Sequence, residues 1–216
     1  MTDVSTMKGL EETHVKQVYQ EIASHFNVTR VYKWSWVTDF LDSLEANSIV
    51  YDLGCGNGRN MIVNDSRNKL KFIGVDNCEK FIDICREKDL SVFNSSITEI
   101  PLDNESADAI ICIAVFHHLY TEENRLKSLL EMKRLVKSGG KILLSVWSIN
   151  QPAKTRRNFN NYGNNIVLWN NYGKVFERFY YIFKLEEIKK LINDTGLTII
   201  NYEYNSGNEI FTLMKP

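Results

Sequence analysis

Residues 48–58 read SIVYDLGCGNG, and this stretch decides the fold. Its first half is apolar and β-prone apart from Asp52, and its second half has glycines at alternate positions, namely Gly54, Gly56 and Gly58. An apolar strand that runs into a glycine-rich turn and then a helix begins a nucleotide-type βα unit. The glycines permit a tight turn and let a ligand approach main-chain N–H groups without a Cβ in the way. We therefore expect a strand, a ligand-binding turn and a helix after Gly58.

A second β-prone run, at 70–75, supports this interpretation, since a glycine-rich turn alone is a weak signal. The run follows the first by about twenty residues and ends in Asp76, where βα units of this type place an acid that binds ribose hydroxyls. The turn and Asp76 therefore form a candidate ligand site at the carboxyl ends of two strands.

Apolar periodicity predicts a single α/β domain over residues 1–216, with strands and helices alternating from residue 48. The expected strands are 49–53, 71–75, 91–93, 109–113, 141–147, 197–204 and 210–214. The expected helices are 11–26, 37–44, 79–88, 121–136 and 185–194. We expect Thr121 to cap the helix at 121–136 and the Ser-Gly-Gly at 138–140 to stop it. The fold class is α/β, a doubly wound, mostly parallel sheet of Rossmann-like type with an antiparallel C-terminal hairpin.

Two segments fall outside this alternation. Residues 1–47 read as a helical N-terminal arm, in which 27–36 is dense in aromatic and basic residues. Residues 148–180 are rich in asparagine and show little periodicity. We interpret them as an insert near the substrate side of the domain.

The composition limits the kind of protein. The 216 residues carry a net charge of −1, so nucleic acid would have to bind a local basic patch or a basic partner. No apolar run is long enough to span a bilayer and no N-terminal signal pattern is present, so we expect no membrane partner. The four cysteines show no CxxC pair, which indicates reduced, mostly buried thiols, no metal site, and a cytoplasmic or nuclear location.

Three motifs together resemble the class I S-adenosylmethionine-dependent methyltransferases: VYDLGCGNG at 50–58, GVD at 74–76 and SGGKILL at 138–144. The resemblance implies that S-adenosyl-L-methionine is the cofactor, that the glycine turn holds its methionine part and that Asp76 holds its ribose. Ser96 stands where many members have an acid for the adenine amine, and its hydroxyl can still accept a hydrogen bond. The cofactor site so implied comprises Asp52, Gly54, Cys55, Gly56, Gly58, Arg59, Asp76, Asn77, Ser96, Ile97, Ile113 and His118.

A narrower resemblance rests on HVKQVYQEIASHFNVTR at 14–30, IAVFHHL at 113–119 and SVWSINQ at 145–151. These segments are similar to the eukaryotic tRNA methyltransferases of the wobble-uridine type. The resemblance implies conversion of 5-carboxymethyluridine, in the tRNA anticodon loop, into its methyl ester. It also implies a small zinc-binding activator subunit as partner. The chain departs from the family at 204–209, YNSGNE, where only Tyr204 and Asn208 match a Tyr-x-Arg-Asp-Asn-Trp-like segment.

A carboxylate acceptor is already ionised at neutral pH, so such an enzyme needs donors that orient the acceptor rather than a general base. The catalytic candidates are Arg30, His117 and Asn208. The guanidinium fork of Arg30 suits a carboxylate or phosphate, and His117 follows the fourth strand at the edge where ligands bind. The alternatives are a surface arginine stacked on Tyr32 or Trp34, and a histidine that packs and caps the next helix.

Aromatic and basic residues offer further candidates with structural alternatives. We expect Trp34 to form a wall of the site and Trp147 to lie in the core. Lys154, Arg156 and Arg157 form a compact basic cluster that could touch phosphates or simply belong to a solvated loop.

Two other functions stay open from the sequence. One is a class I methyltransferase of a small-molecule acceptor, because the HHL at 117–119 is common to both kinds of enzyme. The other is a degenerate, non-catalytic subunit that binds the cofactor or a partner, which the altered 204–209 segment and Ser96 suggest.

Overall fold

The computed structural model describes residues 9–62, 69–155 and 159–216. The strands are β1 Ile49–Leu53, β2 Lys71–Asp76, β3 Val92–Asn94, β4 Ala107–Ile113, β5 Val136–Trp147, β6 Gly163–Asn171, β7 Lys174–Ile182, β8 Thr198–Asn205 and β9 Asn208–Met214. A π-helical segment, Glu12–Lys16, runs into the first of the α-helices, which are α1 Gln17–Thr29, α2 Ser35–Asp42, α3 Glu79–Arg86, α4 Glu122–Leu135 and α5 Leu185–Asp194. Short 3₁₀ turns cover Phe116–His118 and Ala153–Thr155.

Seven strands form one sheet in the order β3-β2-β1-β4-β5-β9-β8. The pairs from β3 to β5 are parallel, and β9 pairs antiparallel with both β5 and β8. The predicted doubly wound sheet with a C-terminal hairpin is therefore confirmed. The chain reverses its direction of winding between β1 and β4, and ligands bind at such a switch point, beyond the carboxyl ends of the strands.

Apolar side chains cover both faces of this sheet. On one face Ile110 packs in a cluster with Leu129 of α4, and on the other Ile111 packs with Val37 of α2. All four side chains are fully buried. The near-continuous apolar run of β4 follows from this arrangement, because a central parallel strand is covered on both faces.

One of the two predictions about the ends of α4 needs correction. Helix α4 begins as expected, since the Thr121 hydroxyl accepts a hydrogen bond from the backbone N–H of Asn124 at 3.1 Å. However, it ends at Leu135 rather than at the glycines, because Val136 already has an extended backbone and begins β5. Gly140 lies inside that strand segment, where an added Cβ would come within 2.8 Å of a backbone oxygen on the neighbouring chain segment.

The helix expected after Gly58 is absent from residues 59–62, which form turns and coil. The Met61 N–H closes one such turn on the Gly58 carbonyl at 3.0 Å. The rest of the predicted helix, at 63–68, lies outside the described residues.

The insert at 148–180 contains a hairpin that its periodicity did not indicate. Strands β6 and β7 pair antiparallel, and Tyr172 and Gly173 between them both have positive φ, as a two-residue type I′ turn requires. Four of the nine residues of β6 are asparagine, a residue depleted in strands, which explains why the sequence concealed it. The hairpin packs on the N-terminal arm, where Trp169 clusters with Val18 and Ile22 of α1.

All four cysteines are buried, as expected. Among the described residues, no helix combines the length and the apolar character needed to cross a bilayer.

Candidate active site

A cleft of about 410 Å³ opens at the carboxyl ends of β1, β2 and β4. Its floor is the glycine turn together with residues 76–78, 95–97 and 113–115, and its roof comes from the N-terminal arm and β7. This is the switch point of the sheet, and the volume is in the range of cofactor pockets. The cavity therefore lies between the carboxyl ends of the sheet strands and two segments outside the sheet, the N-terminal arm and β7.

The glycine turn is packed so closely that side chains are excluded from it. A Cβ on Gly54, whose φ is +75°, would lie 2.3 Å from a methyl carbon of Val115. A Cβ on Gly56 would meet only the Phe26 ring, at 3.8 Å, so this glycine leaves open space within the cleft. Gly54 is thus required by the packing of the turn, and Gly56 leaves room for a ligand.

Asp76 is held by the glycine turn itself. Its carboxylate accepts the backbone N–H groups of Gly56 and Cys78, both at 2.9 Å. Burial raises the pKa of Asp76 to about 6. The backbone N–H groups of Gly56, Cys78 and Asn77 have the opposite effect and lower this pKa. The carboxylate lines the cleft and retains lone pairs for hydroxyl donors, so the geometry suits a ribose diol.

Asp52 lies beneath the turn and is fully buried. Among the described residues, neither of its carboxylate oxygens has a hydrogen-bond partner within 3.5 Å. Burial raises the pKa of Asp52 to about 7, and the nearby Asn60, Arg59 and Lys33 side chains oppose that shift. An unsatisfied buried carboxyl under the turn fits a cofactor that carries an ammonium and a sulfonium, because positive charge nearby stabilises its ionised form.

The predicted cofactor residues divide into two groups. Ten positions that carry a predicted cofactor role line the cleft: Gly54, Cys55, Gly56, Arg59, Asp76, Asn77, Ser96, Ile97, Ile113 and His118. Asp52 lies below the lining, and Gly58 faces away from it, since a Cβ there would meet Leu90 at 2.4 Å. The Ser96 hydroxyl shares a hydrogen bond with the Thr98 hydroxyl at 2.8 Å and also accepts the Thr98 N–H.

Of the three catalytic candidates, the structure brings only Arg30 to the cleft. His117 is fully buried behind the wall, where its Nδ1 accepts the backbone N–H of Trp147 at 3.0 Å and its ring packs on Tyr180. Asn208 lies in the β8–β9 turn and donates its amide to backbone carbonyls of the same turn. His117 therefore does not project into the mouth of the cleft as expected, because its ring nitrogen anchors β5 instead.

The cleft also contains residues that the sequence analysis did not single out. Tyr19 of α1 and Arg178 and Tyr180 of β7 all line it. Trp147, expected in the core, is buried and lines the cleft as well, stacked on Tyr180 with ring centroids 4.2 Å apart. Residues 176–183 read FERFYYIF, and this density of aromatic side chains is a signal that could have indicated β7.

Trp34 lines the cleft, as expected for a wall of the site, and the Arg59 guanidinium lies 4.4 Å from its ring centroid. Arg156 and Arg157 of the predicted basic cluster lie outside the described residues, so that cluster stays a prediction.

The sheet order, the glycine turn and the acid after β2 form a nucleotide-type site, the arrangement found in class I methyltransferases, whose cofactor is S-adenosyl-L-methionine. A family model described as a methyltransferase domain matches residues 51–144. The chain belongs to the family of tRNA (carboxymethyluridine(34)-5-O)-methyltransferases.

Two relatives and one solved structure illustrate the match. The tRNA (carboxymethyluridine(34)-5-O)-methyltransferase of Schizosaccharomyces pombe is 31% identical over 220 residues, which cover 92% of this chain and 94% of that protein. The mouse (Mus musculus) enzyme of the same name, ALKBH8, is 42% identical over 148 residues, covering 68% of this chain and 22% of the mouse protein. The chain thus matches about a fifth of the mouse relative. A complex of the Haloferax volcanii Trm112 methyltransferase activator with a putative methyltransferase has a TM-score of 0.59 at 14% identity, covering 99% of this chain and 95% of that one.

Proposed function

We propose that this protein is an S-adenosyl-L-methionine-dependent tRNA methyltransferase that forms the methyl ester of 5-carboxymethyluridine at the anticodon wobble position. The observation that carries the proposal is one continuous cleft that combines the Gly56–Asp76 cradle with the guanidinium of Arg30. The names of the relatives support the substrate.

When bound, S-adenosyl-L-methionine supplies a methyl group whose carbon–sulfur bond breaks, the electron pair staying on sulfur, as a carboxylate oxygen forms the new carbon–oxygen bond. The chain has to align the two reactants and keep water out. Trp147 and Tyr180 supply an apolar wall for this purpose. His118 also lines the cleft, but burial lowers its pKa to about 3, so it remains a neutral scaffold. A carboxylate acceptor is already ionised and needs no base to remove a proton. A histidine with so low a pKa is a poor base, so the cleft wall agrees with such an acceptor.

Arg30 is the proposed donor to the acceptor carboxylate. It lies half-buried at the end of α1, with its guanidinium 5.2 Å from the Trp169 ring centroid. His117 and Asn208 act in this proposal as positioning residues for Trp147, since His117 accepts its backbone N–H and Asn208 is its register partner in β9. Both would shape the wall rather than touch the acceptor.

The proposed macromolecular partners are the tRNA anticodon loop and a small zinc-binding activator subunit. The activator in the Haloferax complex supports the second. The sheet ends in two edge strands, β3 and β8, on which Phe93, Ile200, Tyr202 and Tyr204 are exposed. Exposed apolar edges favour association with another chain. We expect the chain alone to be poorly soluble or weakly active and co-expression with the activator to restore activity.

A methylation assay on tRNA tests the proposal. The protein, alone and co-expressed with the activator, is incubated with labelled cofactor and with bulk tRNA from cells that lack the homologous enzyme. We expect a methyl ester of 5-carboxymethyluridine in mass spectrometry of the digested nucleosides. Cofactor binding without any tRNA methylation, in either preparation, would support a non-catalytic subunit and contradict the proposal.

A further inference from the structure

Arg178 is a buried guanidinium that the sequence did not point to. It lies on β7 and is 5% exposed, yet it lines the cleft. One terminal nitrogen donates to the Tyr180 hydroxyl at 2.7 Å, and the guanidinium carbon is 4.7 Å from the Trp169 ring centroid. Its Nε has no hydrogen-bond partner among the described residues. A buried donor without an acceptor costs free energy of folding, and a bound ligand that accepts its hydrogen bond would remove this cost.

Arg30 approaches the same indole. Its guanidinium carbon is 5.2 Å from the Trp169 ring centroid. Burial lowers the pKa of Arg30, and the positive charge of Arg178 lowers it further. Within the described ranges, neither arginine has a carboxylate within 4.0 Å. Two neighbouring cations without a counter-charge form a site that an anion would stabilise.

Hydrogen bonds fix the orientation of the Tyr19 side chain, which lies near Arg178. The Nδ1 of His118 lies 2.7 Å from the Phe179 carbonyl, so it must carry the proton and donate to that oxygen. The Nε2 of His118 is then an acceptor, and the Tyr19 hydroxyl, at 2.9 Å, donates to it. Burial lowers the pKa of Arg178, but the nearby Tyr180 and Tyr19 oxygens outweigh this effect, so its pKa is raised and the charged form is stabilised. The neutral His118 thus orients the Tyr19 phenol, and the Tyr180 hydroxyl accepts the hydrogen bond of the guanidinium.

We propose that Arg178 and Arg30, which both approach the Trp169 ring, form a clamp for a planar anion, and that this anion is the carboxylate of the methyl acceptor. The inference rests on the proposed function and adds to it the residue that selects an acid over a neutral acceptor. Arg178 supplies a fixed, buried fork, and Arg30 closes the site from the end of α1. Such forks recognise carboxylates through paired, parallel hydrogen bonds.

The position of the clamp favours the acceptor over the cofactor as the source of the carboxylate. The loops after β1, β2 and β4 make the cofactor cradle, whereas Arg178 and Trp169 come from the β6–β7 hairpin, outside the seven-stranded sheet. A cofactor with a sulfonium brings positive charge to the cleft, so an anionic acceptor would be attracted by the sulfonium and by both guanidinium groups.

The test compares Arg178→Met with Arg178→Lys in the complex with the activator. The substrate is an anticodon stem-loop RNA that carries 5-carboxymethyluridine, and the competitor is the same RNA with the neutral amide, 5-carbamoylmethyluridine. For the wild type, we expect the acid RNA to bind at least tenfold more tightly than the amide RNA. For Arg178→Met, we expect the KM for the acid RNA to rise about tenfold to a hundredfold and this preference to disappear. Arg178→Lys should keep part of the preference for the acid RNA, because lysine retains the positive charge but lacks the paired donors of the guanidinium.

Tyr19→Phe tests the contribution of the Tyr19 hydroxyl near Arg178, because it removes one phenol oxygen and leaves the ring contacts intact. We expect a smaller rise in KM, about threefold to tenfold, and a modest fall in the thermal unfolding midpoint, because His118 Nε2 loses its donor. Cofactor affinity should stay unchanged. Lys174→Met is the matched control, since Lys174 is an exposed cation on the same strand. It should alter neither KM nor the acid preference.

Several outcomes would overturn the inference. An unchanged acid preference in Arg178→Met would show that Arg178 does not bind the acceptor carboxylate. A fall in cofactor affinity as large as the rise in KM, measured by calorimetry, would assign the clamp to the cofactor's own carboxylate. An equal loss of affinity for acid and amide RNA would assign it to a phosphate. If the wild-type complex does not methylate the acid RNA at all, the proposed function fails instead, and this result is distinct from the others.

Discussion

The two ends of the cleft are assembled in different ways. At the cofactor end, Gly54, Gly56 and Asp76 come from two consecutive βα connections, and backbone N–H groups hold the carboxylate. At the acceptor end, Arg30 at the end of α1 and Arg178 from β7 approach the same Trp169 ring, and these segments are far apart in the chain. Backbone hydrogen bonds position the groups at the cofactor end, whereas contacts with aromatic rings and phenols position the groups at the acceptor end.

This difference has a consequence for the evolution of function on the fold. A cradle made of backbone groups and glycines changes little when surface residues change, because its donors do not depend on side-chain identity. A wall made of side chains from a separate hairpin can be altered without disturbing the cradle. The same sheet can therefore keep its cofactor and exchange its acceptor, and variants at the two ends should separate cofactor binding from acceptor recognition.

The largest expected effect concerns the pH dependence of stability at the cofactor end. Burial raises the pKa of Asp52 to about 7, so in the unliganded protein the carboxyl stays protonated where the unfolded chain has already ionised. The protonated Asp52 therefore stabilises the folded protein fully below about pH 4, and this stabilisation is lost as the pH rises towards 7. The free energy of unfolding should fall on the order of 4 kcal/mol over this range. Asp52→Asn should remove this loss. The free energies of unfolding of the two proteins, from urea titrations, should therefore diverge between pH 4 and 7, and parallel profiles would contradict the prediction.

The next effect concerns the packing of the glycine turn. Gly54→Ala should lower cofactor affinity at least a hundredfold in calorimetry, because the new Cβ would lie 2.3 Å from Val115 at a φ of +75°. Adding Val115→Ala should restore part of the affinity. Gly139→Ala is the control, since Gly139 has a similar φ of +77° with nothing within 4 Å of its Cβ position. If Gly139→Ala were equally harmful to cofactor binding, the close contact with Val115 would not be the cause.

Arg30→Ala tests the acceptor end. We expect the rate of methyl ester formation to fall about a hundredfold, the scale of losing one positioned charged donor. Cofactor affinity should stay within about threefold of the wild type, because Arg30 contacts the glycine turn through its backbone carbonyl, which accepts from Asn57 and is kept in the variant. Arg86→Ala, on the exposed side of α3, is the matched control. A combined loss of rate and of cofactor affinity would mean that the two ends are not separable.

The smallest effect is expected for Asp76→Asn. The amide keeps one acceptor oxygen but cannot hold both the Gly56 and Cys78 N–H groups and a ribose diol. Cofactor affinity should fall about tenfold. The KM for the RNA should not change, and this measurement separates the cradle from the clamp. Unchanged cofactor affinity would show that Asp76 does not face the ribose.

The sequence by itself determined the parallel sheet and its cofactor end. The strands at 49–53 and 71–76, the capped helix after Thr121 and the C-terminal hairpin are local patterns, because their apolar spacing and turn residues act over a few neighbouring positions. The position of Asp76 beside the glycine turn followed from the same local rule.

Only the tertiary structure decided the acceptor end. It revealed β6 and β7, which asparagines concealed, and it moved His117 from the mouth of the cleft to a buried contact with the Trp147 backbone. It also brought Arg178 to the indole that Arg30 approaches. The physical reason is that these contacts join segments far apart in the chain, and their partners depend on how the hairpin packs against α1. No spacing within one segment carries that information.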